Sequence, residues 1–261
     1  MGRLADEDST ARRRRRLPGA ANTADFSEAL ARGLSVLAVF NGERRRLTQA
    51  DLARELGLSR ATVRRAVLTL EHLGYLVADG RAYGLSPGVL RLADAYLTSN
   101  PVSAVTQPVC ERIRTRVDEA CSVAVLDGAD AVVVARAVPR RLAAVGSGIG
   151  YRTPAAVSSL GRVLLAHLSP GERSACLGTE AAASLDHDAL DRVREDGYAY
   201  VAHDIEAGAH SIAVPLHRWD DRVTAALHVG CSLERISPQA MHDEVLPLLR
   251  EAAGELRGQL I

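Results

Sequence analysis

The spacing of apolar residues over the first third of the chain predicts helices rather than strands. From Phe26 to Asn41, apolar residues recur three and four positions apart, as they do on one face of a helix. The face that we expect to turn inward consists of Ala29, Leu30, Leu34, Leu37 and Phe40. This amphipathic helix is predicted to contribute to a small helical core.

Two further helices follow, and each has a recognisable beginning and end. Thr48 is a good N-cap with Asp51 three residues on, and Gly57 ends this second helix. Ser59 caps a third, longer helix that runs to Gly74. Its apolar stripe consists of Val63, Ala66, Val67, Leu70 and Leu73. Since the turn between these two helices is very short, the pair is typical of a helix-turn-helix.

A hairpin is predicted directly after the third helix. Asp79-Gly80 is a strong signal for a tight turn, with Tyr75 to Val77 before it and Arg81 after it. Helices, a short turn and a hairpin in this order form a winged helix-turn-helix, which we assign to residues 24–86. The expected partner is double-stranded DNA.

Polar residues on this segment suit contacts with DNA. At about 100° per residue, one side of the third helix faces away from its apolar stripe. The residues predicted to contact base edges there are Arg60, Ala61, Thr62, Arg64 and Arg65. The predicted contacts to the DNA backbone are Arg45, Arg46, Thr48, Ser59 and Arg81. The alternative for the helix arginines is an ordinary solvated helix face.

Charge divides the chain into two parts although its net charge is zero. Residues 1–100 carry 16 arginines against 11 acidic residues, residues 101–261 carry 16 against 21, and there is no lysine. A basic half followed by an acidic half fits a DNA-reading domain joined to a different domain. The run Arg12 to Arg16 marks residues 1–23 as a disordered basic arm. This arm is either a solubilising tail or an electrostatic contact with DNA.

Beyond the hairpin, the pattern predicts an α+β domain. Pro87 begins a connecting helix over residues 87–101, and after Pro101 we expect short strands that alternate with helices. The predicted strands are Ser122 to Leu126, Ala131 to Ala137, Ala143 to Ser147, Tyr198 to His203, Ser211 to His217 and Val223 to Cys231. The predicted helices are Ser158 to His167, Asp186 to Gly197 and Pro238 to Leu260. Short turns between strands favour an antiparallel sheet with helices packed on it.

Several classes of protein are disfavoured because their motifs are missing. The chain has no G-x-S-x-G, P-loop or H-E-x-x-H motif, so we expect neither catalysis nor a cofactor. Its four cysteines form no CxxC pair, so we expect no metal. No apolar run reaches ~20 residues and no signal peptide is recognisable, so we expect a cytoplasmic protein without a membrane partner. Two alternatives stay open: a metal-sensing regulator that uses His203, Asp204 and His210, and a DNA-binding protein that needs no ligand.

Four motifs that occur in order make the chain resemble a known family. They are Phe26-Ser27-x-x-Leu30-x-Arg32-Gly33-Leu34-x-Val36-Leu37, the helix-turn-helix, Ser158-Ser159-Leu160-Gly161-Arg162-Val163-Leu164-Leu165-Ala166 and Gly208-x-x-Ser211-Ile212-Ala213-Val214-Pro215. Together they resemble the IclR family of bacterial transcriptional regulators over nearly all of residues 24–261. The segments Cys121 to Gly128 and Pro108 to Glu111 are similar to the branch that controls aromatic-acid breakdown through the beta-ketoadipate pathway.

This resemblance implies a GAF/PAS-like effector-binding and oligomerisation domain over residues 102–261, joined by the linker helix to the winged helix-turn-helix. It implies a homodimer or homotetramer that acts as a repressor or an activator. The DNA affinity of such a regulator is controlled by a small organic acid, here an aromatic acid or a metabolite of that pathway. Transferred by position, the effector pocket involves Ser158, Ser159, Leu160, Ser211, His228 and Gly230.

Chemistry supports part of this pocket and adds two candidates. Free N–H groups at the start of a helix attract carboxylates, and serine hydroxyls supply further donors. Arg136, on a predicted strand, suits a carboxylate ligand, and a buried structural ion pair is the alternative. His210 directly precedes a predicted strand and His228 lies on one, and for both the alternative is a histidine whose hydrogen bonds are satisfied within the core.

Overall fold

A computed structural model describes residues 26–42, 44–140, 148–203 and 207–260 of the chain. The described residues form two compact units, one that extends to Tyr96 and one that begins at Leu97. Two predicted segments, the basic arm with Arg12 to Arg16 and the strand Ala143 to Ser147, lie outside the described residues.

The N-terminal unit is a winged helix-turn-helix, as predicted. Its helices are α1 (Glu28–Ala38), α2 (Gln49–Leu56) and α3 (Arg60–His72). Its strands are β1 (Leu47–Thr48), β2 (Leu76–Asp79) and β3 (Ala82–Leu85), which form an antiparallel sheet in the order β1-β3-β2. The fully buried residues at its centre are Val36, Leu52, Val63 and Val67. Strand β1 was not predicted, since two residues are too few to show a pattern.

The predicted ends of α2 and α3 are confirmed by their caps. Thr48 and Asp51 form a capping box, and Gly57 ends α2 with a φ of 65°, in the left-handed region that favours glycine. The Ser59 hydroxyl accepts a hydrogen bond from the Thr62 backbone N–H at the start of α3. These short-range contacts define where α2 begins and ends and where α3 begins.

The inward face predicted for the first helix is confirmed only toward its C-terminal end, where Leu37 packs against the core and Phe40 is buried. Leu30 and Leu34 are 62% and 55% exposed, and Ala29 is exposed as well. Among the described residues, the helical core does not extend to the first turns of α1. An apolar stripe is therefore left on the surface.

A helix lies where the linker was predicted, but the chain beyond it differs from the prediction. A 3₁₀ turn at Pro87–Val89 leads into α4 (Leu90–Ser99), and a second helix, α5 (Pro101–Val117), occupies residues for which no element was predicted. Helix α5 escaped prediction because Pro108 lies within it, and an internal proline normally interrupts a helix. No helix along the described ranges combines the length and the apolar composition of a bilayer span.

The C-terminal unit contains the predicted antiparallel sheet. Its strands are β4 (Ala120–Asp127), β5 (Asp130–Ala137), β6 (Arg152–Pro154), β7 (Ala199–Ala202), β8 (Ala209–His217) and β9 (Val223–Ser232). All neighbouring pairs are antiparallel, in the order β6-β5-β4-β9-β8-β7. The α+β fold class is confirmed.

Helices complete this unit. They are α6 (Ser159–Ala166), α7 (Pro170–Leu177), α8 (Thr179–Ala183), α9 (His187–Asp196), α10 (Pro238–Ala240) and α11 (Leu246–Leu256). A π-helical turn at Met241–Val245 joins α10 to α11, where one continuous helix was predicted. Helices α7 and α8 were not predicted.

The two faces of the sheet are covered by different helices. Helices α5 and α11 pack on one face, where Ile113 and Leu249 meet Leu227. Helix α6 packs on the other face, where Val163 meets Ala213 and Ala226. Because successive residues of a strand point to opposite faces, each strand supplies alternate residues to the two cores.

Candidate functional site

The arginine side of α3 is exposed. Val63 and Val67 are fully buried in the helical core, and Arg60, Arg64 and Arg65 project from the opposite side. Two smaller predicted contacts accompany these arginines: Ala61 is exposed and Thr62 is half-buried. Helix α3 therefore presents its guanidinium groups on a face that a DNA groove can meet.

The flanking arginines have local partners or lie at the tip of the wing. Arg81 is exposed in the turn between β2 and β3. Arg46 forms an exposed ion pair with Asp79 at 2.6 Å, and Arg45 Nε donates to the Gly42 carbonyl at 2.7 Å. An exposed pair of this kind is worth about 0–1 kcal/mol, so the exchange of Asp79 for a phosphate costs little.

Thr48 and Ser59 serve as helix caps in the structure. Their hydroxyls are engaged by backbone N–H groups of α2 and α3, so each marks a helix start where phosphates bind favourably. The sequence did not predict one further contact, which involves the wing. Gln49 Nε2 donates to the Tyr83 hydroxyl at 3.2 Å. The hairpin is thus joined to the start of α2.

Several predicted effector residues meet on the α6 face of the large sheet. We call the group the polar cluster, and its members are Ser122, Arg136, Ser159, Ser211 and His228. They come from β4, β5, α6, β8 and β9, which are separated along the chain. Ser122 and Ser159 are almost fully buried, and the other three are half-buried.

Hydrogen bonds and strand register connect the polar cluster. Arg136 Nη1 donates to Ser122 Oγ at 3.2 Å, and Ser122 lies opposite His228 in the pairing of β4 with β9. On the other side, the Ser159 and Ser211 hydroxyls are 2.8 Å apart. A guanidinium, an imidazole and three hydroxyls therefore share one surface.

The electrostatics of the cluster keep its histidine neutral and its arginine poorly solvated. Burial lowers the pKa of His228 to about 3, and the positive charge of Arg136 adds to this shift. Burial also lowers the pKa of Arg136, which shows that its charge is costly at this place. His228 Nδ1 is buried and has no hydrogen-bond partner among the described residues. The cluster thus offers a cation and an uncharged acceptor.

Gly230 makes room for the His228 ring. It lies opposite Ser211 in the pairing of β8 with β9. A Cβ at position 230 would come within 2.9 Å of His228 Cε1 and 3.0 Å of His228 Nε2. Glycine suits this position because a side chain would crowd the His228 ring, and not because of its backbone angles.

The depressed pKa of His228 predicts how stability depends on pH. Its ordinary pKa is 6.5 and its folded pKa is about 3, so the unfolded chain binds more protons between these values. The contribution of this group to the free energy of unfolding is therefore fully present above pH 6.5. It is lost as the pH falls toward 3, by about 2 kcal/mol at pH 5. Urea unfolding at pH 7.5 and 5.0 should show a smaller loss for H228N than for the wild type. If H228N and the wild type lost the same free energy of unfolding between these pH values, His228 would not be the cause of the pH dependence.

Two of the predicted pocket residues have structural tasks. Ser158 is buried and caps α6, since its hydroxyl accepts from the Gly161 N–H at 3.1 Å and from Thr153 Oγ1 at 3.3 Å. Leu160 is buried in the apolar core between α6 and the sheet. Both residues support the position of Ser159 without joining the polar cluster.

His210 lies on the opposite face of the sheet from the polar cluster. Its Nδ1 is 2.9 Å from the Tyr200 hydroxyl, and its Nε2 is 3.2 Å from Cys231 Sγ. Because Ser211 faces α6, its neighbour His210 must face the other way. We therefore correct the assignment of His210 to the effector pocket, and the alternative of a satisfied structural histidine describes it better.

Sequence reasoning missed Ser122 and Tyr151. Ser122 is fully buried and contacts Arg136, and Tyr151 lies close enough for its phenol to favour the charged form of Arg136. A signal for Ser122 did exist, because a serine on a buried strand has to find a hydrogen-bond partner. Tyr151 lies outside the predicted strands and helices, and its sequence context does not indicate a contact with Arg136.

The metal-sensing alternative gains no support from the described ranges. Within them, no group of three or more His, Cys, Asp or Glu side chains is arranged to hold a metal ion. His203 accepts a hydrogen bond from the Gly208 N–H at 3.1 Å, and His210 is engaged as above. Asp204, the third proposed ligand, lies outside the described residues.

Known proteins match both units of the chain. The family model "IclR helix-turn-helix domain" matches residues 29–80, and the model "Bacterial transcriptional regulator IclR C-terminal" matches residues 94–257. The first description names a helix-turn-helix domain, and the second names a bacterial transcriptional regulator.

Individual relatives match over most of their length. The chain is 38% identical over 247 residues to the Pca regulon regulatory protein of Pseudomonas putida, covering 90% of this chain and 85% of that protein. It is 34% identical over 250 residues to the p-hydroxybenzoate hydroxylase transcriptional activator of Acinetobacter baylyi, covering 90% and 92%. An IclR homolog from Microbacterium hydrocarbonoxydans, solved in complex with 4-hydroxybenzoate, matches with a TM-score of 0.70 and 27% identity, covering 89% of this chain and 98% of that one. The winged helix-turn-helix, the antiparallel sheet and these matches agree, and the chain belongs to the IclR family of bacterial transcriptional regulators.

Proposed function

We propose that this regulator binds its DNA operator through α3 and the wing, and that a hydroxylated aromatic acid bound at the polar cluster changes its DNA affinity. The observation that carries the proposal is the polar cluster itself. It combines a poorly solvated guanidinium with hydroxyls and a neutral imidazole, which together complement a carboxylate and a hydroxyl group. Residues 24–86 are assigned to DNA binding, 87–101 to the linker and 102–261 to the effector and oligomer contacts.

Arg136 is the proposed partner of the effector carboxylate. A guanidinium fork matches the two oxygens of a carboxylate, and a carboxylate would offset the cost of burying this charge. The hydroxyls of Ser159 and Ser211, already 2.8 Å apart, supply further donors at the start of α6. His228 is neutral, so the positive charge that a carboxylate would meet comes from Arg136.

His228 is the proposed partner of a hydroxyl group on the effector. In the tautomer that carries its proton on Nε2, Nδ1 can accept a hydrogen bond, and a hydroxyl of the ligand would satisfy this buried atom. The two relatives whose names include hydroxybenzoate agree with a phenolic acid. We therefore favour an effector of the 4-hydroxybenzoate or protocatechuate type over an unsubstituted or ring-opened acid such as beta-ketoadipate.

Calorimetry on the full chain tests the effector class. We expect 4-hydroxybenzoate or protocatechuate to bind at least tenfold more tightly than benzoate, because benzoate leaves His228 Nδ1 unsatisfied. Benzoate binding equal to that of the hydroxylated acids would contradict the role of His228. If beta-ketoadipate alone bound, the aromatic class would be wrong, and if none of the four bound, the proposed site would be wrong.

Arg65 tests the proposed reading of DNA. R65A should lose about 1–3 kcal/mol of affinity for the preferred operator and discriminate less among operators, since an arginine that contacts a base edge contributes to both. Fluorescence anisotropy with a DNA site selected from a random pool, and with single-base variants of it, measures both quantities. R116A removes an exposed arginine from the C-terminal unit and serves as the matched control. An equal loss on every sequence would make Arg65 a phosphate contact.

The regulator is proposed to act in the cytoplasm as a homodimer or homotetramer without enzymatic activity. The exposed leucines on α1, together with Leu90 and Leu92 on α4, form apolar surface of the kind that subunit contacts cover. Paired winged helices would match the repeated half-sites of an operator. Light scattering on the purified chain would contradict this assignment if it gave the mass of a single chain.

A further inference from the structure

A side chain of α5 forms two hydrogen bonds with the backbone of the proposed effector-binding arginine. Gln107 Nε2 donates to the Arg136 carbonyl at 3.1 Å, and the Arg136 N–H donates to Gln107 Oε1 at 3.0 Å. The amide group thus pairs with Arg136 as a neighbouring β-strand would.

This pairing occurs on the outer edge of β5, at a place where the described part of the chain provides no further strand. Strand β6 pairs with β5 only over Asp130 to Val132, and backbone contacts from Gly150 and Tyr151 reach Val133. Farther along, the edge of β5 at Arg136 is completed by Gln107 instead. An unmet backbone hydrogen bond in a buried place is costly, so this side chain defines the position of the Arg136 backbone.

Gln107 is itself held in one orientation. Its Nε2 also donates to Glu111 Oε1 at 3.2 Å, one turn farther along α5. Both polar atoms of the amide are therefore engaged, and the side chain is half-buried. A shift of the Arg136 backbone must either move α5 or break these hydrogen bonds.

The side chain and the backbone of Arg136 therefore contact different parts of the C-terminal unit. Its side chain reaches Ser122 in the polar cluster, and its backbone is joined to α5. Along the chain, α5 begins at Pro101, directly after Asn100 and the linker helix α4. Gln107 therefore joins the Arg136 backbone directly to α5 by hydrogen bonds, in addition to the apolar packing of α5 on the sheet.

We propose that Gln107 is a positioning residue that couples occupancy of the polar cluster to α5, and through the chain to the linker. The inference rests on the proposed function, because it requires an effector that contacts Arg136. Coupling of this kind is reciprocal: the ligand shifts the preferred position of α5, and the position of α5 changes affinity for the ligand.

The test compares Q107L, Q107E and the wild type in the full chain. For each, operator affinity is measured by anisotropy without ligand and with saturating 4-hydroxybenzoate or protocatechuate, whichever binds the wild type. The ratio of the two affinities is the coupling factor. Q107L, similar in size but without hydrogen bonds, should reduce the wild-type factor to less than a third. Without ligand, its operator affinity should stay within threefold of the wild type.

Q107E separates coupling from a general loss of structure. It retains an oxygen that accepts from the Arg136 N–H, but it loses the donor to the Arg136 carbonyl and to Glu111 and places a carboxylate beside both, so we expect a coupling factor below that of the wild type. Q259L, which removes an exposed glutamine amide from the C-terminal end, should leave the factor unchanged. Thermal melting checks that each variant folds, and Q107E provides the decisive comparison if Q107L does not.

The outcomes distinguish the two proposals. If the wild type responds to the acid and both Gln107 variants respond equally well, the coupling role of Gln107 is wrong while the proposed function stands. If the wild type responds to none of the acids, the proposed function fails and the role of Gln107 fails with it. A reduced factor in both Q107L and Q107E, with an unchanged factor in Q259L, supports both.

Discussion

R136M should abolish the response to the effector. Replacing one member of a buried, hydrogen-bonded charge pair typically costs about 2–5 kcal/mol, which corresponds to a loss of roughly 30-fold to several thousand-fold in effector affinity. The loss should be this large because Arg136 is the cation of the polar cluster and its charge is poorly solvated. Calorimetry with the acid that binds the wild type measures the effect. Operator affinity without ligand should change little.

Two variants make the result for Arg136 specific. R140M removes an exposed arginine four residues farther along the chain and should leave effector affinity unchanged. R136K keeps the charge but loses the planar fork, so its affinity should lie between those of R136M and the wild type. If R136M bound the acid as tightly as R140M does, Arg136 would be a structural arginine, and the carboxylate would lie elsewhere.

G161A should be the most destabilising of the conservative substitutions in the C-terminal unit. A Cβ at this position would lie 2.1 Å from Ala155 Cα and 2.2 Å from the Ala155 carbonyl oxygen, so backbone has to move. Overpacking of this kind costs about 1–3 kcal/mol or more, and near the upper end this lowers Tm by roughly 6–12 °C in a unit of this size. Thermal unfolding followed by circular dichroism measures the shift.

The matched control for Gly161 is Gly171. Both glycines lie in helices, but a Cβ at position 171 meets no atom within 4 Å, so G171A should be neutral or slightly stabilising. Because Gly161 follows the start of α6 closely, G161A should also displace Ser159 and weaken effector binding. A Tm for G161A within 2 °C of the wild type would show that the contact relaxes easily.

The N-terminal unit was predictable because its signals are local. Thr48, Ser59 and Gly57 act through hydrogen bonds and backbone angles within a few residues of themselves. The Asp79-Gly80 turn likewise depends on its immediate neighbours, and β2 and β3 flank it. The exposed leucines of α1 could not be predicted, because periodicity identifies an apolar face without identifying what covers it.

The polar cluster was predictable only in part because its strands are buried on both sides. In β8, buried residues run from Ile212 to Leu216 without alternation, so the sequence does not indicate which face of the strand meets α6. Alternation separates His210 from Ser211, but it does not show which of the two faces the effector. The partner of Arg136 on β4 and the Gln107 contact depend on strand order and on α5, which no local pattern specifies.

The close approach at Gly230 also constrains how effector preference can diverge among descendants of this chain. The ring of His228 occupies the space that a side chain at position 230 would need. A substitution at 230 therefore requires that the His228 ring turn to another rotamer or that a smaller residue replace it. Either change alters the polar cluster, so effector preference and the residue at 230 are expected to change together, and positions 228 and 230 should vary together across related regulators.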